Sequence, residues 1–249
     1  MAKWIKSQTI KLIKKDQGAT TGSDDISRLK KKPGIMVAYD MEDRASAIRL
    51  TEELSGAEGN FAIKIGRPLE MQTGKEIISR IRDATDIPII YDGKIADIPY
   101  ISAKIADIAY DAGADAVIMH AFVGMDAVRE VVNLKKGDVI TVIEMTHPGS
   151  VEYLEPMSEK LIRETSKIGV DGVVLPATRT RRVRQLSELL DSETYIISPG
   201  IRAQGAEPGD AIINGSDYEV VGRAIYQSEN PKRSAEQIYR EIIDRLGGV

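Results

Sequence analysis

From residue 34 onward, short apolar runs alternate with amphipathic stretches. The runs are Ile35–Tyr39, Phe61–Ile65, Ile87–Tyr91, Ala116–Met119, Val139–Ile143, Gly172–Leu175, Tyr195–Ile197 and Tyr218–Val221. Their lengths and compositions predict eight buried strands. The stretches between them predict helices over Ala45–Leu54, Lys75–Ala84, Ser102–Ala112, Ala127–Leu134, Ser158–Ile168 and Arg182–Leu190. A weaker helical pattern covers Pro208–Ile213, and Ala235–Leu246 closes the chain. Helical spacing is visible in Ile77 and Ile81, and in Ile105, Ile108 and Ala109. Strands alternating with helices imply βαβ units and a parallel sheet. Eight such units match a closed α/β fold, the (β/α)8 TIM barrel. An open doubly wound sheet is the alternative, but no G-x-G-x-x-G follows the first run. The predicted organisation is a basic N-terminal extension or linker over residues 1–33 and a catalytic barrel over residues 34–249.

Charge changes this picture only at the N-terminus. Residues 1–33 hold nine Lys/Arg and three Asp, a net of +6, within a chain whose overall charge is −4. A short helix is expected over residues 3–15 and a linker over the polar, glycine-bearing residues 16–25. This extension reads as a solvated tail or as a basic arm for an acidic partner or a neighbouring subunit. Nothing in the net charge points to nucleic acid. Without cysteine there are no disulfides and no thiol nucleophile. With only His120 and His147, one chain cannot build a multi-histidine zinc site. No apolar stretch approaches the ~20 residues of a membrane helix, and the N-terminus lacks a signal core. No membrane partner and a cytoplasmic location are expected.

In a barrel of this kind the active site gathers at the carboxyl ends of the strands. Those ends carry Asp40, Lys64, Asp92 and Lys94, an alternating acid–base set on strands one to three. If the third strand stays extended, Asp92 and Lys94 point to the same side, and Asp97 falls beyond it. Ionised groups beside a buried strand are paired or functional. A fixed carboxylate next to a fixed ammonium implies proton chemistry on a charged substrate. Taken singly, Asp40 reads equally as a helix cap, Lys64 as a structural ion-pair member, His147 as a turn residue and His120 as a satisfied core histidine. The segment Ser198–Gly209 and the pair Gly222-Arg223 point to phosphate. Glycines let backbone N–H groups approach an anion, and arginine binds phosphate bidentately. The loops after strands seven and eight are the usual phosphate site of such barrels.

Over about residues 34–245, the chain resembles the orotidine 5′-monophosphate decarboxylases, particularly their archaeal branch. The motifs are Asp40, Ile63-Lys64-Ile65-Gly66, Asp92-x-Lys94-x-x-Asp97-Ile98-Pro99, and Glu144-Met145-Thr146-His147-Pro148-Gly149. Ser198-Pro199-Gly200-Ile201-Arg202-Ala203-Gln204-Gly205 and Val221-Gly222-Arg223-Ala224-Ile225-Tyr226 complete the set. The D-x-K-x-x-D element alone marks a wider suprafamily. The resemblance implies decarboxylation of orotidine monophosphate to uridine monophosphate with no cofactor and no metal. It makes Lys94 the proton donor to C6 and places Asp92 against the substrate carboxylate. It assigns ribose contacts to Asp40 and Lys64, and the pyrimidine edge to Thr146. Gln204 bridges base and phosphate, Pro199 lies at the substrate, and Gly222 and Arg223 hold the phosphate. Asp97 is lent to the active site of a neighbouring subunit, which implies a homodimer.

The chain departs from the family pattern at four places. Thr146 replaces a serine, Gly93 a bulky apolar residue, Ile101 a threonine and Ala206 a glycine. Two other readings stay open. One is a Mg-dependent hexulose-phosphate synthase or ketogulonate-phosphate decarboxylase, which needs an acidic residue where this chain has Lys64. The other is a nucleotide-binding barrel without turnover, supported only by Gly93 and Ile101.

Overall fold

The computed structural model describes residues 27–29 and 31–247. Eight parallel strands pair in sequence order, and β8 closes back onto β1. They are β1 Gly34–Tyr39, β2 Phe61–Gly66, β3 Ile89–Ile95, β4 Ala116–His120, β5 Asp138–Val142, β6 Gly172–Val174, β7 Tyr195–Pro199 and β8 Tyr218–Val221. Closure removes the open-sheet alternative and confirms the (β/α)8 barrel. The helices are α1 Arg44–Ser55, α2 Arg67–Thr73, α3 Glu76–Ala84, α4 Pro99–Asp111, α5 Met125–Val132, α6 Ser150–Ile168, α7 Thr180–Ser187, α8 Asp210–Ile213, α9 Arg223–Tyr226 and α10 Pro231–Arg245.

Period-two alternation divides each strand between two apolar layers. Outward side chains such as Val37, Ile63, Ile65 and Val117 pack beneath the helices. Inward ones such as Met36, Ala38, Ile90, Ile118, Ile140, Val142, Ile197 and Val220 fill the barrel. Continuing the same inward set toward the carboxyl ends brings the alternation to Lys64, Asp92 and Glu144, all buried. The apolar interior thus supports a charged layer at one mouth.

Several elements differ from the sequence expectation. Strand β3 starts two residues late and runs on through Asp92, Gly93 and Lys94 to Ile95. Helix α6 begins at Ser150, eight residues before the predicted start, and continues through Pro156. A proline ordinarily ends a helix because the preceding residue is pushed out of the helical region. Here the helix keeps a buried face at Ser150, Ser158, Leu161, Ile162 and Thr165 on both sides of it. Helix α7 spans Thr180–Ser187, displaced toward the N-terminus. Helices α2 and α9 were not predicted; at seven and four residues they are too short to show a period.

The opposite mouth is closed by residues 27–29 and 31–33. Leu29 is buried among the inward residues. Ser27 Oγ donates to Asp138 Oδ2 at 2.7 Å, and Tyr195 OH donates to the same oxygen at 3.0 Å. Arg28 meets Asp115 at 3.4 Å, and Lys31 Nζ donates to the carbonyls of Ser192 and Thr194. The helix expected over residues 3–15 and the linker over 16–25 lie outside the described residues.

Candidate active site

The end of β3 is irregular, and the irregularity builds the site. Its register with β4 pairs Tyr91 with Val117 and then Ile95 with Met119, so three residues of β3 oppose one of β4. Such a bulge re-aims side chains. Lys94 takes up the distortion with a φ of +43°, a left-handed conformation uncommon outside glycine. Its Nζ thereby folds back to 2.8 Å from both oxygens of Asp92. Lys64 Nζ, from β2, donates to Asp92 Oδ2 at 2.8 Å. One buried carboxylate is held between two ammonium groups.

The electrostatics follow from this geometry. Burial alone would raise the Asp92 pKa, but Lys64 and Lys94 overcome it and hold the carboxyl down at about 2. Burial alone would depress Lys64, but Asp92 and Asp40 outweigh it and leave that ammonium raised above its ordinary value. Both groups are therefore charged at neutral pH. Gly66 makes room for Asp40: a Cβ there would lie 2.6 Å from Asp40 Oδ1 and 3.8 Å from Lys64 Nζ. An alternating row of acid and base results, open to solvent at Lys94, whose side chain is 41% exposed.

This row lines a cavity of about 430 Å³. Ile118, Val142, Val174, Ile197 and Val220 form its apolar base, and Thr146, Pro199, Gln204, Gly222 and Arg223 its polar rim. Gly200, at φ +121°, lets three rim segments converge. A Cβ there would lie 2.9 Å from Thr178 Cγ2, 3.4 Å from Gln204 Oε1 and 3.5 Å from Thr146 Cγ2. The following loop is pinned by Arg202, which pairs with Glu207 at 2.6 Å and with Glu241 of α10. Its far end is fixed by the buried Glu219 carboxylate, which accepts from the N–H groups of Gly209 and Ala211 at 2.8 Å. The cavity thus presents an ammonium acid, a paired carboxylate, an apolar slot and, at its rim, a guanidinium for an anion. A larger cleft of about 1170 Å³ opens at the opposite mouth, but none of the predicted site residues lines it.

Asp40, Lys64, Asp92, Lys94, Thr146, Pro199, Gln204, Gly222 and Arg223 all line the one cavity. Asp97 does not. It is exposed at the start of α4, where Oδ1 accepts from the Ile98 N–H at 2.7 Å. His147 lies exposed in the turn before α6. His120 is buried against Phe122, with ring centroids 4.6 Å apart, and its Nδ1 has no hydrogen-bond partner among the described residues, so it differs from the satisfied core histidine expected from the sequence. Burial, reinforced by Lys94, lowers its pKa. Two features carried no role in the sequence reading. Tyr226 lines the cavity beside Arg223. Glu144, wholly buried, meets Arg182 at 2.7 Å and Arg179 at 3.4 Å. The inward alternation Ile140, Val142, Glu144 was the available signal for the second.

Comparison with known proteins identifies the family. The sequence pattern of the orotidine 5′-phosphate decarboxylase / HUMPS family matches residues 33–238. The orotidine 5′-phosphate decarboxylase of Pyrococcus furiosus is 39% identical over 208 residues, spanning 84% of this chain and 97% of that protein. The enzyme of that name from Methanocaldococcus jannaschii is 41% identical over 218 residues, 86% of this chain and 100% of its own length. The crystal structure of the M. jannaschii enzyme complexed with the inhibitor BMP superposes with a TM-score of 0.78 at 40% identity, covering 86% of this chain and 99% of that one. The Pyrococcus horikoshii enzyme gives a TM-score of 0.77 at 39% identity, covering 84% and 98%.

Proposed function

The chain belongs to the orotidine 5′-phosphate decarboxylase / HUMPS family, and we infer that it is a carboxy-lyase converting orotidine 5′-monophosphate to uridine 5′-monophosphate. The observation that carries this reading is the Asp92 carboxylate fixed between the Lys64 and Lys94 ammonium groups within one cavity.

The substrate carboxylate lies beside Asp92, where two like charges disfavour the ground state. The bond from C6 to the carboxylate breaks, carbon dioxide leaves, and the electron pair stays on C6. The Lys94 ammonium stabilises that developing charge, being preorganised by Asp92. It then gives its Nζ proton to C6, and solvent reprotonates the amine. Asp40 and Lys64 bind ribose hydroxyls, and Thr146 meets the pyrimidine edge. Pro199 contributes apolar contact, Gln204 bridges base and phosphate, and Arg223 with the Gly222 N–H holds the phosphate. Phosphate binding remote from C6 supports the chemistry by closing the loop around Gln204. No cofactor and no metal enters this scheme. A metal-dependent reaction at this place needs an oxygen ligand on β2, whereas Lys64 presents an ammonium 2.8 Å from Asp92.

Asp97 serves a second copy of the chain. Its exposed position outside its own cavity supports this, as do the exposed apolar side chains of Ile98 and Tyr100 beside it in the chain, and of Phe122 and Tyr153. The assembly is a homodimer. Among the described residues no helix is long and apolar enough to cross a membrane, in keeping with a cytoplasmic place in pyrimidine biosynthesis.

The test is an absorbance assay of orotidine monophosphate consumption in excess chelator. Turnover persists, and Lys94→Ala lowers it by at least about 100-fold, the lower end for loss of a general acid. A strict metal requirement, or a near-normal rate in Lys94→Ala, would overturn the proposal.

A further inference from the structure

Thr146 sits in a stretch without regular structure. Residues 143–147 follow β5 and precede α6 with no ladder partner beyond the Val174 carbonyl, which accepts from the N–H groups of Ile143 and Glu144. Side chains take over the peptide immediately before Thr146. The Met145 N–H donates to Ser150 Oγ at 3.0 Å, and the Met145 carbonyl accepts from Arg179 at 2.5 Å. Arg179 leans on Glu144 Oε2 at 3.4 Å, and Arg182 donates to Glu144 Oε1 from Nε at 3.1 Å and from its terminal nitrogen at 2.7 Å. The chain ends at Ser158, whose Oγ accepts from Arg182 at 2.6 Å. Glu144 and Ser158 have no exposed surface and Ser150 is buried. Burying a carboxylate completely against two half-buried guanidinium groups is unfavourable unless geometry and further hydrogen bonds compensate. Both Glu144 oxygens are engaged, while the buried Arg179 Nε has no partner among the described residues, and the network ties β5, the Ala177–Arg179 turn, α6 and α7 to one peptide.

We propose that Glu144, Arg179, Arg182 and Ser150 form a clamp on the Met145 peptide that positions Thr146 against the pyrimidine. The proposal rests on the reading of Thr146 as a pyrimidine contact. These four are positioning residues: Arg179, Arg182 and Ser150 lie outside the cavity lining, and Glu144, which borders the cavity, has its carboxylate taken up by Arg179 and Arg182. A backbone displacement at Met145 would swing the hydroxyl away from a base edge on which a hydrogen bond depends to a few tenths of an ångström.

The test uses Ser150→Ala and Arg182→Gln, each alone and combined with Thr146→Ala, with melting curves beside the kinetics. Each single variant lowers kcat/KM by about tenfold, mainly through KM, and adds less than about twofold to Thr146→Ala, the non-additivity expected of coupled groups. Arg182→Lys recovers part of the loss. Effects that multiply in full on Thr146→Ala would overturn the clamp while leaving the pyrimidine contact standing. Unchanged kcat/KM with a lowered melting temperature would reduce the network to a purely structural one. Thr146→Ala turning over like the parent would remove the pyrimidine contact, and the clamp with it.

Discussion

At the scale of single residues, Gly93 is where the chain departs from the resembling family most visibly, and the structure gives the reason. A Cβ on Gly93 would lie 2.4 Å from Tyr91 Cε1 and 2.9 Å from Cζ. The ring of Tyr91 occupies the space a bulky residue at 93 would take, and its hydroxyl donates to Glu70 of α2 at 3.1 Å. Burial and Glu70 push that hydroxyl up to about 12, so it remains a donor at every working pH. Gly93 lies between Asp92 and Lys94, within the bulge that aims them. Gly93→Leu therefore displaces Tyr91 and lowers stability by about 1–3 kcal/mol, the usual range for overpacking. Turnover falls with it, because the neighbouring charged pair shifts. Tyr91→Ala in the same chain opens the space and restores both. Melting curves and turnover of the single and double variants read this out; a single variant with unaltered melting would refute the packing argument. The charged residues themselves were legible because Asp and Lys have few other reasons to sit at a strand end. The bulge was not, since it depends on how β3 meets β4 rather than on β3 alone.

At the scale of elements, the strands were legible and the device that sets their start was not. Asp115, Asp171 and Asp217 each stand one residue before an even-numbered strand, after a glycine two residues earlier. Each accepts through Oδ2 from an N–H of the preceding odd strand, at Ile89, Val139 and Ile196, at 2.7–2.8 Å. Each returns a backbone N–H to the carbonyl of that same residue. A repeated Gly-x-Asp in the sequence marks these clamps, but the hydrophobic pattern alone does not single them out. The clamps crowd carboxylates at the barrel floor. Burial pushes Asp138 and Asp217 up to about 6 and raises Asp171, while Lys31 partly offsets the effect on Asp217. A carboxyl raised in the folded state binds more protons there than in the unfolded chain between its ordinary value near 3.8 and 6. Stability from such a group therefore grows as pH falls through 6 and is complete below about 4. Asp92, held at about 2, works the other way but loses its contribution only below its ordinary value near 3.8. His120, with its pKa lowered, also opposes the floor as pH falls through its ordinary value of 6.5. The difference between parent and Asp138→Asn isolates the floor. Between pH 7.5 and 5 the parent gains about 1 kcal/mol relative to the variant, roughly 3 °C in melting temperature for a chain of this length. Identical pH profiles for the two proteins would disprove it.

At the scale of the whole molecule, the two mouths of the barrel bear opposite charge logic. The floor gathers carboxylates that burial drives toward neutrality, sealed by Arg28 and Lys31. The active mouth keeps its carboxylate ionised by surrounding it with lysines. Eight short apolar runs in regular alternation made the barrel readable, because parallel strands buried on both faces leave an apolar signature. The proposed pairing between copies of the chain would leave a fainter one. Ile98, Tyr100 and Ile108 on and beside α4, Phe122 after β4, and Val151, Tyr153 and Met157 on α6 are exposed, and several stand next to buried apolar residues in the sequence, as Phe122 does beside Ala121 and Ile108 beside Ala109. The fold puts them on α4, on the turn after β4 and on α6, with Asp97 just before α4. A dimer with two-fold symmetry formed there gives each site the Lys94 of one copy and the Asp97 of the other. Lys94→Ala and Asp97→Ala homodimers are then both inactive. A hybrid of the two carries one site with both groups intact and one with neither. Random exchange of equal amounts makes half of the dimers hybrids, so the mixture recovers about a quarter of parental activity, as a symmetric shared interface requires. Subunit exchange is followed independently by native mass spectrometry. Hybrids that form and stay inactive would confine Asp97 to its own chain and leave the exposed apolar face without a catalytic reason.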